Sequence, residues 1–145
     1  AGAAAIAVGL IVPFEGKKNQ AYYDPPKIAT ICYGHTDGVK ITDTATDEQC
    51  AVYLGQDVKT AERAVDDLVK VEISDKTKAA LISFVYNAGK EKLRKSTMLK
   101  KLNAGDIEGA CHELPRWVFA GGVKLEGLVR RRAAEEKLCL DGLSR

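Results

Sequence analysis

The sequence has little excess charge and few aromatic residues. Lysine and arginine number 22 against 20 for aspartate and glutamate, and aromatic residues make up 6% of the 145 residues. A nucleic-acid-binding domain needs a basic stripe interleaved with aromatic rings, and the sequence has none. We therefore expect no nucleic-acid partner. The small positive balance instead favours association with anionic surfaces.

Metal-ligand patterns are also missing. The two histidines, His35 and His112, are not spaced like zinc ligands, and none of the four cysteines belongs to a C-x-x-C motif. We therefore expect neither a metal nor another cofactor. The even number of cysteines fits two disulfides, for which three pairings are possible.

The sequence lacks a hydrophobic run long enough to cross a bilayer. Its first twelve residues, AGAAAIAVGLIV, are uncharged, but as a helix they would rise only about 18 Å. Alanine and glycine bury little apolar area, so such a segment would reside only marginally in a membrane. Two interpretations stay open: residues 1–12 are the remnant of a weak membrane segment, or they form the first helix of the folded domain.

Short β-type runs and turns alternate over residues 20–42, which predicts a small antiparallel hairpin sheet. The Asp37-Gly38 pair is a favourable hairpin turn and predicts a further strand at residues 39–42. Residues 13–45, which contain this sheet, are called the hairpin lobe below.

The rest of the chain predicts helices. Apolar residues recur at helical spacing over residues 46–69, which predicts a long connecting helix. In residues 70–145, the helical lobe, Ser and Asp caps and glycine stops bound several helices, including one at 107–114. Gly121-Gly122 predicts a loop. The fold class is therefore α+β, as one domain over residues 13–145 without repeats or linkers.

Two carboxylates and a hydroxyl stand close together in the hairpin lobe. Glu15, Asp24 and Thr30 lie in PFEGKKNQAYYDPPKIATICYGHTDG, residues 13–38. Cleavage of a glycosidic bond needs one protonated carboxyl to donate to the leaving oxygen and one ionised carboxylate near the sugar carbon or the attacking water. These three residues are therefore the candidate catalytic group.

The local sequence assigns each residue a role. The first helix ends near Glu15, where the helix dipole and the neighbouring Phe14 both oppose ionisation, as suits a general acid. Asp24 precedes Pro25-Pro26 in an exposed turn and is expected to be ionised. Thr30 lies in the strand KIATICYG, where its hydroxyl is positioned to hold a water.

The combination of FEG, AYYD and T-x-x-YGHT resembles the active-site hairpin of phage-type lysozymes, glycoside hydrolase family 24. Segments similar to that family follow in the same order over nearly the whole chain. These are SFVYNAG (83–89), STMLKKLNAGD (96–106), PRWVFAGG (115–122) and EGLVRRRAAEE (126–136). The four cysteines and the Ala/Gly-rich start resemble the secreted signal-arrest-release endolysins of the lambdoid phage subgroup.

The resemblance implies a mostly helical lysozyme fold and a monomeric muramidase. Its substrate would be peptidoglycan, cut by inversion at the β-1,4 bond between N-acetylmuramic acid and N-acetylglucosamine, with Asp24 and Thr30 positioning the water. A phage or prophage would encode it, and it would act in the host periplasm after residues 1–12 had first tethered it to the inner membrane. No cofactor is implied.

Action outside the cytoplasm also favours oxidised cysteines. We expect one disulfide within each lobe, Cys32–Cys50 and Cys111–Cys139. The alternative is four buried thiols in a cytosolic protein.

Several other residues have two possible roles. The resemblance implies that His35 pairs with Asp57 structurally, against the alternative of a general base. Tyr86 and Asn87 are candidates to line a sugar cleft, although Tyr86 fits a core position equally well. Trp117 is expected in the core.

The run of three arginines at residues 130–132 is by default a solvated helix face. The alternative is that one of them reaches the cleft and meets a peptide carboxylate.

Two rival functions remain. A lytic transglycosylase uses one acid, so Asp24 and Thr30 beside Glu15 argue against it. A non-enzymatic membrane or cell-wall-binding lysis module would rely on a basic C-terminal helix, but Glu135 and Glu136 interrupt its positive charge.

Overall fold

A computed structural model describes residues 2–24 and 27–143, and Pro25-Pro26 lie outside this description. The described residues form seven α-helices, one short 3₁₀ helix and two small antiparallel hairpins. In chain order these are α1 (Ala3–Glu15), β1 (Lys18–Asp24), β2 (Ile28–Cys32), α2 (Asp47–Leu68), α3 (Asp75–Ala88), α4 (Lys90–Arg94), α5 (Thr97–Asn103), α6 (Ile107–Cys111), the 3₁₀ helix (Leu114–Arg116), β3 (Phe119–Ala120), β4 (Val123–Lys124) and α7 (Glu126–Asp141). The α+β prediction is confirmed.

The sheet of the hairpin lobe has two strands. β1 and β2 pair antiparallel, with Tyr22 opposite Thr30. The predicted strand at residues 39–42 is wrong, because Asp43 accepts a hydrogen bond from the Lys40 amide at 2.9 Å and closes a turn there. The chain instead runs back beside β1 through an isolated bridge from Gln20 to Thr44.

The connecting helix begins at a capping box. The Thr46 side chain accepts from the Gln49 amide, and the Gln49 side chain accepts from the Thr46 amide, so two backbone donors at the helix start are satisfied. One stripe of α2 is buried, including Leu54, Val58 and Val65. The predicted connecting helix at residues 46–69 is thus confirmed to within one residue at each end.

Helix α3 lies at the centre of the core. It packs against α1, α2 and α7, and Ala79 to Phe84 are all fully buried. A helix that is covered on several sides must be apolar nearly all round, and residues 79–84, AALISF, meet this requirement apart from Ser83.

Helix α1 runs without a break across the expected boundary after residue 12. Ala3, Ala7 and Ile11 form its buried stripe and belong to the main core. Within residues 2–24 and 27–143, the helices are all too short or too polar to span a bilayer. In this structure the N-terminal segment is therefore the first helix of the folded domain.

The helical lobe differs from the prediction at three places. Residues 107–114 form a short α6 that ends at Cys111, because Pro115 lacks an amide donor and the chain continues as a 3₁₀ turn. The short helix α4 was not predicted. Gly121-Gly122 form the expected loop, which is the turn of a hairpin whose two-residue strands, β3 and β4, are not predicted.

Two disulfides tie the elements together as expected. Cys32–Cys50 joins β2 to α2, and Cys111–Cys139 joins α6 to α7. All four cysteines are buried. Each bridge therefore fixes a short or peripheral element to one of the long helices.

Candidate active site

Glu15 is the last residue of α1, and its side chain is 18% exposed. Its Oε2 atom accepts a hydrogen bond from Arg131 Nη1 at 2.6 Å. Its Oε1 atom lies against Gly34, where an added Cβ would stand only 2.8 Å away. Gly34 also has a positive φ of 81°, so glycine is required there on both grounds. The carboxylate is thus held between the two lobes.

Arg131 reaches Glu15 from α7 and is itself 3% exposed. Arg132 beside it is also buried, and its guanidinium donates to the Trp117 carbonyl, to Glu135 and to Asn87. Only Arg130 of the three points into solvent. The expectation of a solvated arginine run is therefore wrong for two residues, because α7 turns them inward against α3.

Glu135 is the fully buried counter-charge of the two arginines. Its Oε2 atom accepts from the Ser83 hydroxyl at 2.6 Å and from Arg131 Nε at 3.3 Å, while its Oε1 atom pairs with Arg132. Burial raises the pKa of the Glu135 carboxyl, and the Arg132 charge is the main influence that lowers it. Two carboxylates and two guanidinium groups therefore form one continuous network from the core to Glu15.

Asp24 ends β1 and is exposed. It lines a cavity of about 510 Å³, and Glu15 lines a neighbouring cavity of about 520 Å³. Both cavities share Asn87, Leu125 and Leu128 on their walls. We call the two together the cleft. The structure thus brings Glu15 and Asp24 to one open groove between the hairpin lobe and the helical lobe.

Thr30 lies deeper than the two carboxylates. It is 1% exposed, and its hydroxyl donates to the Ile28 carbonyl at 2.9 Å. Among the described residues that line the cleft, Thr30 is not included. The structure therefore places Thr30 on β2 opposite Tyr22, with its hydroxyl buried outside the residues that line the cleft.

The side chains of Tyr86 and Asn87 line different cavities. Asn87 is exposed, lines both halves of the cleft and is held by Arg132. Tyr86 lines another cavity, between α2 and α3, and donates its hydroxyl to the Tyr33 carbonyl. Burial raises the pKa of the Tyr86 phenol. Of this pair, only Asn87 is positioned to contact a ligand in the cleft.

His35 is buried behind the hairpin. Its Nδ1 atom lies 2.8 Å from Asp57 Oδ2 on α2, and its ring stacks on Tyr53 with the ring centres 4.1 Å apart. Both contacts join the loop after β2 to the connecting helix. This geometry fits a structural pair.

Trp117 packs edge-to-face on Phe84 at 5.4 Å, which places it against the core. One side of it also lines the Asp24 half of the cleft. It therefore anchors the floor of the cleft rather than standing free as a sugar platform.

Sequence reasoning did not single out Gly34 or Glu135, and it named Arg131 only within the run of three arginines, with entry of one arginine into the cleft as the alternative. A signal for Arg131 and Glu135 was present, because both fall at helical spacing with Leu128 and Cys139 on one face of α7. Charged residues that lie at helical spacing on the apolar face of a helix are buried, and buried charges must be paired. Gly34 carried no comparable signal, since its neighbour Glu15 is distant in sequence.

The sequence and the fold match known proteins over most of the chain. The family described as Phage lysozyme matches residues 12–135. The chain is 42% identical over 148 aligned positions to the SAR-endolysin of Bacteriophage PS119, covering 97% of this chain and 89% of the relative. It is 39% identical over 148 positions to the SAR-endolysin of Enterobacteria phage P21, covering 97% and 90%.

The fold agrees with a solved structure as well. The crystal structure of the active form of P1 phage endolysin Lyz aligns with a TM-score of 0.88 at 29% identity, covering 96% of this chain and 85% of the other. With the family match spanning both Glu15 and Arg131, this chain belongs to the phage lysozyme family.

Proposed function

We propose that this endolysin muramidase uses Glu15 as the general acid that cleaves the β-1,4 bond between N-acetylmuramic acid and N-acetylglucosamine in peptidoglycan. The observation that carries the assignment is the placement of Glu15 and Asp24 in the two joined halves of one cleft. One carboxylate is partly buried and the other is open to solvent, which are the two environments that an acid and a water-orienting base require.

The reaction follows from these environments. Glu15 gives its proton to the bridging oxygen as the bond from the sugar C1 to that oxygen breaks. A water held by Asp24 attacks C1 from the opposite face and passes a proton to Asp24, and exchange with solvent then restores both groups. The family resemblance favours inversion of configuration.

Thr30 assists Asp24 in this proposal. Its hydroxyl donates to Ile28 and can still accept a hydrogen bond from a water that enters beside Asp24. Asn87, whose amide faces both halves of the cleft, is suited to bind hydroxyl or N-acetyl groups of the sugar.

The endolysin is phage-encoded and acts on the wall from the periplasm. We propose that its N-terminal segment is first held in the inner membrane and packs as α1 only after release. The support is that α1 carries no charge before Glu15 and that its buried stripe consists of Ala3, Ala7 and Ile11, so little apolar area holds it in either place. Fractionation of cells that express the intact chain tests the tether. Protein in the inner-membrane fraction before lysis supports it, and protein found only in the periplasmic fraction contradicts it.

Mass spectrometry of peptidoglycan fragments tests the chemistry. We expect wild type to release reducing N-acetylmuramic ends, Glu15→Gln to release no fragments, and Glu136→Gln, a surface change of the same kind, to behave as wild type. Anhydro ends would establish a lytic transglycosylase. Equal fragment release by Glu15→Gln would rule out Glu15 as the acid, and lysis without any fragments would favour a non-enzymatic module.

A further inference from the structure

The structure assigns Glu135 a positioning role. Its carboxylate balances the positive charge of Arg131 and fixes the orientation of the guanidinium, and through Arg131 it keeps Glu15 able to hold a proton. This inference rests on the proposed role of Glu15 as the acid. Glu135 is 0% exposed and does not line the cleft, so it acts only through its partners.

Three hydrogen-bond partners fix the orientation of the Arg131 guanidinium. Arg131 donates Nη1 to Glu15 at 2.6 Å, Nε to Glu135 at 3.3 Å, and Nη2 to the Ser83 carbonyl at 3.2 Å. Three edges of one planar guanidinium are therefore fixed by three different partners. Glu135 also accepts from the Ser83 hydroxyl at 2.6 Å, which links α7 to the central helix α3. Loss of the Glu135 carboxylate would remove the partner of Nε and leave Arg131 held by Glu15 and Ser83 only.

Glu135 also balances part of the positive charge that surrounds Glu15. Arg131 and Arg132 both act on Glu15, and without Glu135 their two positive charges would have Glu15 as their one nearby carboxylate partner in this network. With Glu135 in place, the three buried groups behind Glu15 sum to a single positive charge. A second uncompensated cation would oppose protonation of Glu15 more strongly, and a general acid must carry a proton.

Other groups near Glu15 do not replace Glu135. The phenols of Tyr86 on α3 and Tyr22 on β1 interact with Glu15, but burial raises the pKa of both, so they stay neutral at the pH of the reaction. Arg130 also lines the Glu15 half of the cleft, but it is exposed and adds positive charge. Within the part of the chain described here, the neutralising carboxylate behind Arg131 is Glu135.

The pH dependence of activity tests this role. Glu135→Gln removes the charge at nearly constant volume, and Glu136→Gln makes the same change one residue away, where the side chain pairs with His112 on the surface. With both variants assayed below their Tm, we expect Glu135→Gln to move the alkaline limb of the kcat profile down by about one pH unit. Glu136→Gln should leave it in place. A uniform loss of kcat at every pH in Glu135→Gln would show a merely structural role and overturn the proposal.

Two further variants keep the test decisive if Glu135→Gln does not fold. Glu135→Asp retains the charge, so its alkaline limb should stay at the wild-type pH. Ser83→Ala frees the Glu135 carboxylate on one side, and we expect its kcat to fall at least about threefold with KM unchanged, because a hydrogen bond to the charged carboxylate is lost. A Ser83→Ala kcat within twofold of wild type would refute the inference. Full activity of Glu15→Gln would instead refute the proposed function on which it rests.

Discussion

Replacement of Ile11 by alanine tests whether α1 is held as the structure shows. Ile11 is 0% exposed and packs in the core beside α3, four residues before Glu15. The change removes three carbon groups, which are worth about 2.4 kcal/mol of transfer free energy at about 0.8 kcal/mol each. The cavity that remains brings the expected loss in unfolding free energy to about 3–4 kcal/mol.

Thermal unfolding of the oxidised protein, followed by calorimetry, measures this loss. At roughly 3 °C per kcal/mol for a chain of this length, the Tm of Ile11→Ala should fall by about 10 °C. The control is Val52→Ala on α2, where the side chain is 57% exposed and the expected change is below about 0.5 kcal/mol. Because Glu15 ends the same helix, kcat should fall as well. A Tm within about 2 °C of wild type would show that α1 is not packed in solution, and the position of Glu15 would then be wrong.

Three further changes probe the scaffold. Burial raises the pKa of Tyr86 above the value of about 10 that it has in the unfolded chain. Its contribution to the free energy of unfolding is therefore complete below pH 10 and falls by about 1.4 kcal/mol for each pH unit above pH 10. In urea unfolding, Tyr86→Phe should therefore be less stable than wild type by about 1 kcal/mol at pH 7, and this difference in unfolding free energy should shrink towards pH 11. A difference that stays constant with pH would contradict the raised pKa of Tyr86. Replacing Cys111 and Cys139 together by serine opens a link across 28 residues and should cost about 3–4 kcal/mol in denaturant titration. A reductant, which opens both disulfides of wild type, should cost at least as much, and a smaller loss contradicts the prediction. Thr46→Ala removes the cap of α2 and should cost about 1 kcal/mol, whereas an unchanged denaturation midpoint would exclude the capping box.

The elements that sequence reasoning predicted well are those whose signals are local. The Ser74 cap of α3 and the glycine after Ala88 each act within a few residues, so the two ends of this helix could be predicted directly. The Pro115 break is also local, but the exact end of α6 depended on how the chain packs under α7. The two-residue strands β3 and β4 are too short to carry an alternation pattern.

The false strand at residues 39–42 shows where local signals mislead. Val39 and Ile41 alternate with polar residues as in a strand, and Asp37-Gly38 does form a turn. The segment still has no partner edge, because Ala21 of β1 bonds to the Asp43 carbonyl further along the chain. Pairing is decided by which backbone edges meet, and a single segment does not contain that information.

Sequence alone determined the family resemblance, the fold class and the candidate carboxylates Glu15 and Asp24. These depend on residue identity, order and short-range spacing. Only the tertiary structure decided that Arg131 pairs with Glu15 across 116 residues and that Glu135 neutralises the arginines from inside the core. The physical reason is that burial of a charge is favourable only when partners from other elements surround it, and those partners meet only once the chain has folded.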